Sequence, residues 1–159
     1  MAKLKVTPLT LKVANTYVSE HHRHNKACQG HRFSIGALDQ QGNLVGVAII
    51  GRPVSRMLDD GLTAEVNRVC IAYPSPKNVC SFLYARAWRI WQQMGGESMI
   101  TYTLQSESGS SLKGAGWKIV GKTKKNDFWT SRKPEHKGYV QFREDQEVDG
   151  QLKLRWEAQ

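Results

Sequence analysis

The stretch "TAEVNRVCIAYPSPKNVCSFLYARAWRIWQQMGG", residues Thr63–Gly96, decides the fold. Its beginning, as far as residue 72, alternates in polarity, which predicts a strand. One strand face is expected to carry Ala64, Val66, Arg68 and Cys70, and the other Glu65, Asn67, Val69 and Ile71. From Asn78 to Met94 apolar residues recur at helical spacing, which predicts a helix that Asn78 caps and Gly95-Gly96 end. A helix that links two strands predicts a parallel pair with a right-handed crossover.

On both sides of this stretch, the sequence predicts six more strands and up to two further helices. Strands are predicted at 4–9, 32–39, 44–51, 98–104, 117–123 and 152–157, a helix at 10–22, and a short helix or turn at 106–117. Residues 125–150 are polar and irregular, which predicts a loop or arm. We therefore expect an α/β fold with a mixed sheet, formed by a single domain over residues 1–159.

Composition narrows the class of protein. The chain has 159 residues, of which 40% are hydrophobic and 23% charged, typical of a soluble globular domain. No apolar run approaches the ~20 residues that span a bilayer, so no membrane partner is expected. Three cysteines without paired spacing predict reduced thiols and a cytoplasmic location. The net charge of +9 favours an anionic partner such as nucleic acid or a phosphorylated cofactor.

Three segments resemble the GNAT acyltransferase fold: "EVNRVCI" (65–71), the loop and helix of 73–96, and "SMITYTLQSESGSSLKGAGWKIVG" (98–121). In the last, Gly116-Trp117 matches the family's Gly-Trp or Gly-Phe step into a strand. The resemblance covers roughly Lys3 to Thr123. It implies a mixed, mostly antiparallel twisted sheet with a splayed central strand pair and flanking helices.

A narrower resemblance rests on "HHRH", "GRPVSRMLDDG", "EVNRVC", "CSFLYARAWR" and "ITYTL". These segments are similar to a phage- and prophage-encoded group related to the Mom-type DNA-modification proteins. That similarity implies an acyltransferase-like enzyme that modifies a nucleobase amine in phage DNA, with adenine as the first candidate. It further implies that the enzyme acts in the bacterial host cell and that the modification protects the DNA from restriction. Two alternatives stay open: an N-acetyltransferase acting on a small amine or a protein amine, and a non-catalytic DNA-binding module.

The GNAT resemblance also implies an acetyl-CoA or other acyl-CoA cofactor at the start of the central helix. The family's glycine-rich phosphate loop is replaced here by "YPSPKNVCS" (73–81), whose prolines lack N–H groups. The helix dipole still makes this terminus an anion site. The cofactor-binding candidates are Lys77, Asn78, Cys80, Ser81 and Ser106, and at Cys80 the dipole would lower the thiol pKa.

Catalytic candidates follow from the splayed strands, between which the family holds the acyl group. Glu65, on the strand before the central helix, is a candidate general base, and Tyr102, on the next strand, is a candidate proton donor. The alternative for Glu65 is a structural salt bridge, although the strand pattern sets Glu65 and Arg68 on opposite faces. For Tyr102 the alternative is an ordinary strand tyrosine.

The loop "EHHRHNKACQGHRFS", from Glu20 to Ser34, concentrates titratable side chains. In the GNAT fold it would form the acceptor-side wall, with His22 and His24 as reactants or positioning groups. Spacing also permits a metal site of His24, Cys28 and His31, and a solvated loop stays an alternative. Candidates for contact with double-stranded DNA are Arg23, Lys26, Arg32, Arg52, Arg68, Lys124 and Lys125. A homodimer is a further expectation.

Overall fold

The computed structural model describes residues 3–21, 27–123 and 153–159. The strands are β1 (Lys5–Leu9), β2 (Phe33–Leu38), β3 (Leu44–Gly51), β4 (Thr63–Ile71), β5 (Ser98–Leu104), β6 (Lys118–Thr123) and β7 (Lys153–Glu157), and the helices are α1 (Leu11–His21), α2 (Val79–Gln93) and α3 (Ser110–Gly114). A 3-10 turn occupies Arg56–Leu58. The predicted elements are thus all present. The predicted arm at 125–150 lies outside the described residues.

The strands form one seven-stranded sheet in the order β1-β2-β3-β4-β5-β7-β6. Every neighbouring pair is antiparallel except β4 and β5, which α2 joins as a parallel crossover. The two parallel strands pair only at Thr63–Ser98, Ala64–Met99 and Glu65–Ile100. Beyond these pairs they separate, which confirms the predicted mixed, mostly antiparallel sheet with a splayed central pair.

Helices cover both faces of the sheet and divide the core into two layers. On one face α2 and α3 bury residues such as Ile50, Leu83 and Trp156. On the other face α1 buries Val18 against Ile49. We call these the α2 face and the α1 face. No helix in the described part of the chain is long and apolar enough to cross a membrane.

A bulge in β4 overturns the predicted alternation of its faces. Ile49 of β3 pairs with Arg68, whereas the next residue, Ile50, pairs with Val66, so Asn67 is inserted as an extra residue. Because an extra residue reverses the side of every later side chain, Val69 packs in the α2-face core together with Val66. The prediction that Glu65 and Arg68 lie on opposite faces is therefore wrong.

Candidate active site

The splayed strands form a V on the α1 face, with chemically active residues along it. Glu65 pairs with Gly51 on one side and with Ile100 on the other, at the point where β4 and β5 part. Arg68 pairs with Ile49, a residue of the α1-face core, and so lies on the β4 arm of the V on the same face as Glu65. Tyr102 follows Ile100 by two positions and lies on the β5 arm. The sequence-predicted Glu65 and Tyr102 therefore share one face.

Glu65 is a buried carboxylate at the apex of this V. It is only 6% exposed, and its Oε1 accepts a hydrogen bond from the backbone N–H of Val54 at 3.4 Å. Val54 belongs to the loop between β3 and β4, so that loop covers the carboxylate. A carboxylate that is shielded from water yet adjoins a strand gap is suited to accept a proton from a bound amine.

The inserted Asn67 closes one side of the V. Arg68 donates from Nη1 to the backbone oxygen of Asn67 at 2.8 Å. The Asn67 amide lies where a side chain on Gly51 would otherwise be, and a Cβ added to Gly51 would collide with it. Such a Cβ would also lie 3.9 Å from the backbone oxygen of Gly30. The end of the histidine-rich loop therefore lies against the bulge, beside Glu65.

Two hydrogen bonds fix that end of the loop to α1. The side-chain amide of Asn15 donates from Nδ2 to the Cys28 oxygen and accepts at Oδ1 from the Cys28 N–H, each at 2.9 Å. Burial raises the pKa of the Cys28 thiol, although nearby Arg68 lowers it in part. His31 Nδ1 and the hydroxyl of the buried Ser34 are 2.7 Å apart. The chain from Cys28 to His31 thus borders the acceptor side of the V.

Several of the predicted site residues belong to parts of the chain outside the described residues. His22, Arg23, His24 and Lys26 lie outside the described residues, and so do Lys124 and Lys125. Among the residues that are described, no group of three or more His, Cys, Asp and Glu side chains is arranged to hold a metal ion. The metal set of His24, Cys28 and His31 includes a residue outside that part and stays a prediction.

The three residues predicted to contact DNA that belong to the described part of the chain lie in different environments. Arg32 lies with Nη2 3.7 Å from the carboxylate of Asp59 and its guanidinium 4.9 Å from the ring centre of Trp91. These contacts connect the histidine-rich loop, the β3–β4 loop and α2. Arg52 is exposed, whereas Arg68 lies half-buried in the V. A DNA contact by any of the three stays a prediction.

On the α2 face, two adjoining clefts lie at the starts of α2 and α3. The larger has a volume of about 350 Å³ and is lined by Ile71, Ser75, Pro76, Asn78, Val79, Cys80, Ser81, Ser110, Ser111 and Gly114. The smaller, of about 160 Å³, extends towards Tyr84 of α2 and Thr103 of β5. Cys80, Ser110 and Ser111 line both. Of the predicted cofactor residues, Asn78, Cys80 and Ser81 line the larger cleft, while Lys77 and Ser106 are exposed and line neither.

The start of α2 corrects the prediction that Asn78 caps the helix. Its side chain makes no capping hydrogen bond, and its backbone is left-handed with φ at 69°. Asparagine tolerates this conformation better than other residues that carry a side chain, so it takes the position that glycine commonly fills. Ser81 Oγ instead donates to the Asn78 oxygen at 3.2 Å. The uncapped first-turn N–H groups of α2 are therefore directed, with the positive end of the helix dipole, towards the larger cleft.

These residues fit the phosphates of an acyl-CoA. The cleft combines a helix N-terminus with the hydroxyls of Ser75, Ser81 and Ser111, and such groups bind phosphate oxygens. Pro76 contributes no N–H group, so phosphate binding depends on the helix and the serines rather than on the loop. From the sequence, Ser110 and Ser111 could either bind the cofactor or make simple turn hydrogen bonds, and of this serine-rich turn only Ser106 was selected.

The nucleophilic side chains beside the clefts are protonated. Burial raises the pKa of Cys80, and the hydrogen bond from Ser111 only partly opposes this shift, so the expected lowering by the helix dipole is wrong. Burial raises the pKa of Tyr84 well above its usual range, and so, to a smaller extent, does the negative charge that Cys80 would carry as a thiolate. The Tyr84 ring packs edge-on against Trp117 at 5.4 Å between centroids. Neither residue is an ionised nucleophile at neutral pH.

No protein-family model matches the chain, and no curated protein matches it. Solved structures do match. The ribosomal-protein-S18-alanine N-acetyltransferase from Escherichia coli aligns with a TM-score of 0.62 and 10% identity over 98% of this chain and 93% of that chain. A GNAT-family acetyltransferase from Streptococcus pneumoniae aligns with a TM-score of 0.61 and 10% identity over 98% of both chains.

A third match is an acetyltransferase from Bacillus subtilis in complex with CoA, with a TM-score of 0.58 and 12% identity over 99% of this chain and 98% of that chain. At these identities the similarity concerns the fold. The chain has the fold of the GNAT acetyltransferases, as its sequence resemblance implied.

Proposed function

We propose that this protein is an acyl-CoA-dependent N-acyltransferase. The observation that carries the proposal is the arrangement around the β4–β5 gap. A cleft suited to phosphates lies on the α2 face, and the buried carboxylate of Glu65 lies on the α1 face where the strands part. A cofactor and an acceptor that approach from opposite faces would meet in the gap, which is what direct transfer requires.

Each group of the chain has a definite part in this proposal. The first turn of α2 and the serines of the larger cleft bind the cofactor phosphates, and the cofactor when bound supplies an acyl group activated as a thioester. Glu65 accepts the proton that the acceptor amine loses. Tyr102, on the other arm of the V, would donate a proton from its hydroxyl to the thiolate leaving group. Cys80 and Tyr84 stay neutral and line the route between the clefts.

For the acceptor we infer a nucleobase amine of double-stranded DNA, with adenine as the first candidate. The net charge of +9 and the half-buried Arg68 beside Glu65 support a polyanionic acceptor over a neutral one. A base in duplex DNA has to be flipped out of the stack to reach a strand gap. The resemblance to phage Mom-type proteins supports this acceptor. With this acceptor we also propose that the protein protects DNA from restriction and acts in the cytoplasm of a bacterial host cell. The alternatives are transfer to a small amine or a protein amine, and a non-catalytic DNA-binding module.

Two measurements test these proposals separately. Calorimetric titration of the intact protein with acetyl-CoA and with CoA is expected to give one saturable site, and an absence of binding would refute the acyltransferase. Mass spectrometry of nucleosides from the DNA of cells that express the protein is expected to reveal an acylated base. The same cells with Glu65→Gln serve as the control. Unmodified DNA from a protein that binds acetyl-CoA would refute the DNA acceptor alone.

A further inference from the structure

Among the described residues, a helix covers only part of the width of the α1 face of the sheet. Helix α1 packs against β2, β3 and β4, and makes no comparable contact with β5, β7 or β6. The part of this face that α1 does not contact adjoins the β5 arm of the V. Two residues of that part, Tyr102 and Arg155, are direct cross-strand neighbours on β5 and β7.

Arg155 is held on this face by the residues on either side of it. Leu154 and Trp156 are buried in the α2-face core, so the side chain between them is on the α1 face. Trp156 Nε1 donates to Thr103 Oγ1 at 2.8 Å, which fixes β7 against β5. The backbone on which Arg155 is mounted is therefore fixed by packing and by a side-chain hydrogen bond.

The guanidinium lies against a glycine of the neighbouring strand. Gly121 of β6 pairs with Arg155, and a Cβ added to Gly121 would lie 3.7 to 3.9 Å from the guanidinium atoms. The Arg155 group therefore lies along β6, over the glycine. Its Nε is buried and has no hydrogen-bond partner within the described residues. A buried guanidinium nitrogen without a partner is costly, and an oxyanion bound to the rest of the guanidinium would offset part of that cost.

The neighbouring charges favour an anion. Arg68 lies on the opposite arm of the V. Lys118 of β6 pairs with Glu157, two residues beyond Arg155 along β7. The acidic groups on this face in the described part of β4, β5 and β7 are Glu65, buried at the apex, and Glu157, whose Oε1 accepts a hydrogen bond from Ser98 Oγ at 3.1 Å. A planar guanidinium binds an oxyanion through two parallel hydrogen bonds, a geometry that suits phosphate oxygens.

We propose that Arg155, beside Tyr102, binds a phosphate of the acceptor and so positions the acceptor amine at Glu65. This inference rests on the proposed function, because it concerns the acceptor side of the same V. The phosphate belongs either to a polynucleotide or to a free nucleotide, and both offer the same oxyanion. Arg155 is thus a substrate-positioning residue that sequence analysis did not single out.

The test compares charge-matched variants with four probes: a short DNA duplex, the corresponding single strand, deoxyadenosine monophosphate and deoxyadenosine. Binding to the intact protein is measured by calorimetry at low salt. We expect Arg155→Gln to weaken binding of at least one phosphate-bearing probe by about 10- to 100-fold, as for loss of hydrogen bonds to a charged group. Arg155→Lys should recover part of the loss. Arg89→Gln, an equal charge change at an exposed position of α2, should change binding by less than about twofold.

Further readouts separate the possible outcomes. In Arg155→Gln, the affinity for acetyl-CoA and the melting temperature should be unchanged. If acetyl-CoA does not bind the parent protein, that result counts against the proposed function and not against the phosphate site. The phosphate site is refuted if Arg155→Gln binds every probe as the parent does. It is also refuted if Arg89→Gln loses as much affinity, if the phosphate-free nucleoside binds as well as its monophosphate, or if no phosphate-bearing probe binds at all. The relative affinities of duplex, single strand and monophosphate identify the source of the phosphate.

Discussion

Gly46→Ala tests whether the position of α2 controls the cofactor cleft. A Cβ on Gly46 would lie 2.7 Å from Val79 Cγ1 and 3.0 Å from Leu83 Cδ1, both on α2. Carbon atoms pack at about 3.5 to 4.0 Å, so the first turn of α2 or its side chains would have to move by roughly 1 Å. Such overpacking costs about 1 to 3 kcal/mol of unfolding free energy. Because Val79 and the residues after it line the larger cleft, affinity for acetyl-CoA should fall as well.

The matched control is Gly36→Ala, on β2 of the same sheet. Its Cβ would meet only the side-chain ends of Leu44, Leu9 and Thr7, at 2.5 to 3.2 Å and away from α2. This variant should lose stability in urea unfolding but bind acetyl-CoA like the parent in calorimetry. The reasoning is refuted if Gly46→Ala keeps both its stability and its affinity, or if Gly36→Ala loses as much affinity as Gly46→Ala.

Three further predictions concern the V, the histidine-rich loop and the buried thiol. Glu65→Gln keeps an oxygen that can accept the hydrogen bond from the Val54 N–H but removes the general base. We therefore expect kcat to fall by about 100- to 10,000-fold while the Kd of acetyl-CoA is unchanged. Full turnover would exclude Glu65 as the base. His22→Ala and His24→Ala should each lower turnover by about 100-fold or more and leave the melting temperature unchanged. If the variants instead melt at lower temperature, and a chelator destabilises the parent protein, the histidines have a structural or metal-binding role. Burial raises the pKa of Cys70 from 9.0 to about 11, so the folded protein holds this proton more tightly than the unfolded chain, and stability should decline as the pH rises from 9.0 towards about 11. Urea unfolding at several pH values should give a shallower decline for Cys70→Ala, and an unchanged slope would contradict this assignment.

The strands, the helices and the crossover were predictable because each depends on local periodicity. Strand β4 shows where that information ends. Its alternation is regular in the sequence, but the inserted Asn67 becomes visible only when β4 is paired with β3, and it moves Arg68 to the face of Glu65. Asn78 was expected to cap α2 with its side chain, because asparagine is common as a cap at helix starts. Asparagine also tolerates the left-handed conformation, and the sequence does not say which of the two properties is used.

The candidate site was predictable only in part, for the same reason. Glu65 and Tyr102 could be identified because the splayed strands follow from the fold that the sequence resembles. Arg155 could not be identified, because its proposed role depends on the position of β7 between β5 and β6. That pairing joins distant parts of the chain. The alternation in "KLRWE" does place Arg155 opposite Leu154 and Trp156, but it does not say which residues are its neighbours.

The insertion of β7 between β5 and β6 also sets an order of events in folding. Among the described strands, β6 hydrogen-bonds only to β7, although β6 precedes β7 in the chain. Strand β6 therefore joins the sheet only together with β7, which has to be synthesised and to dock on β5. Until then the edge of β5 is open, and an open strand edge is where chains pair wrongly with one another. The amide protons of β6 should accordingly become protected from solvent exchange last, and in one step with those of β7.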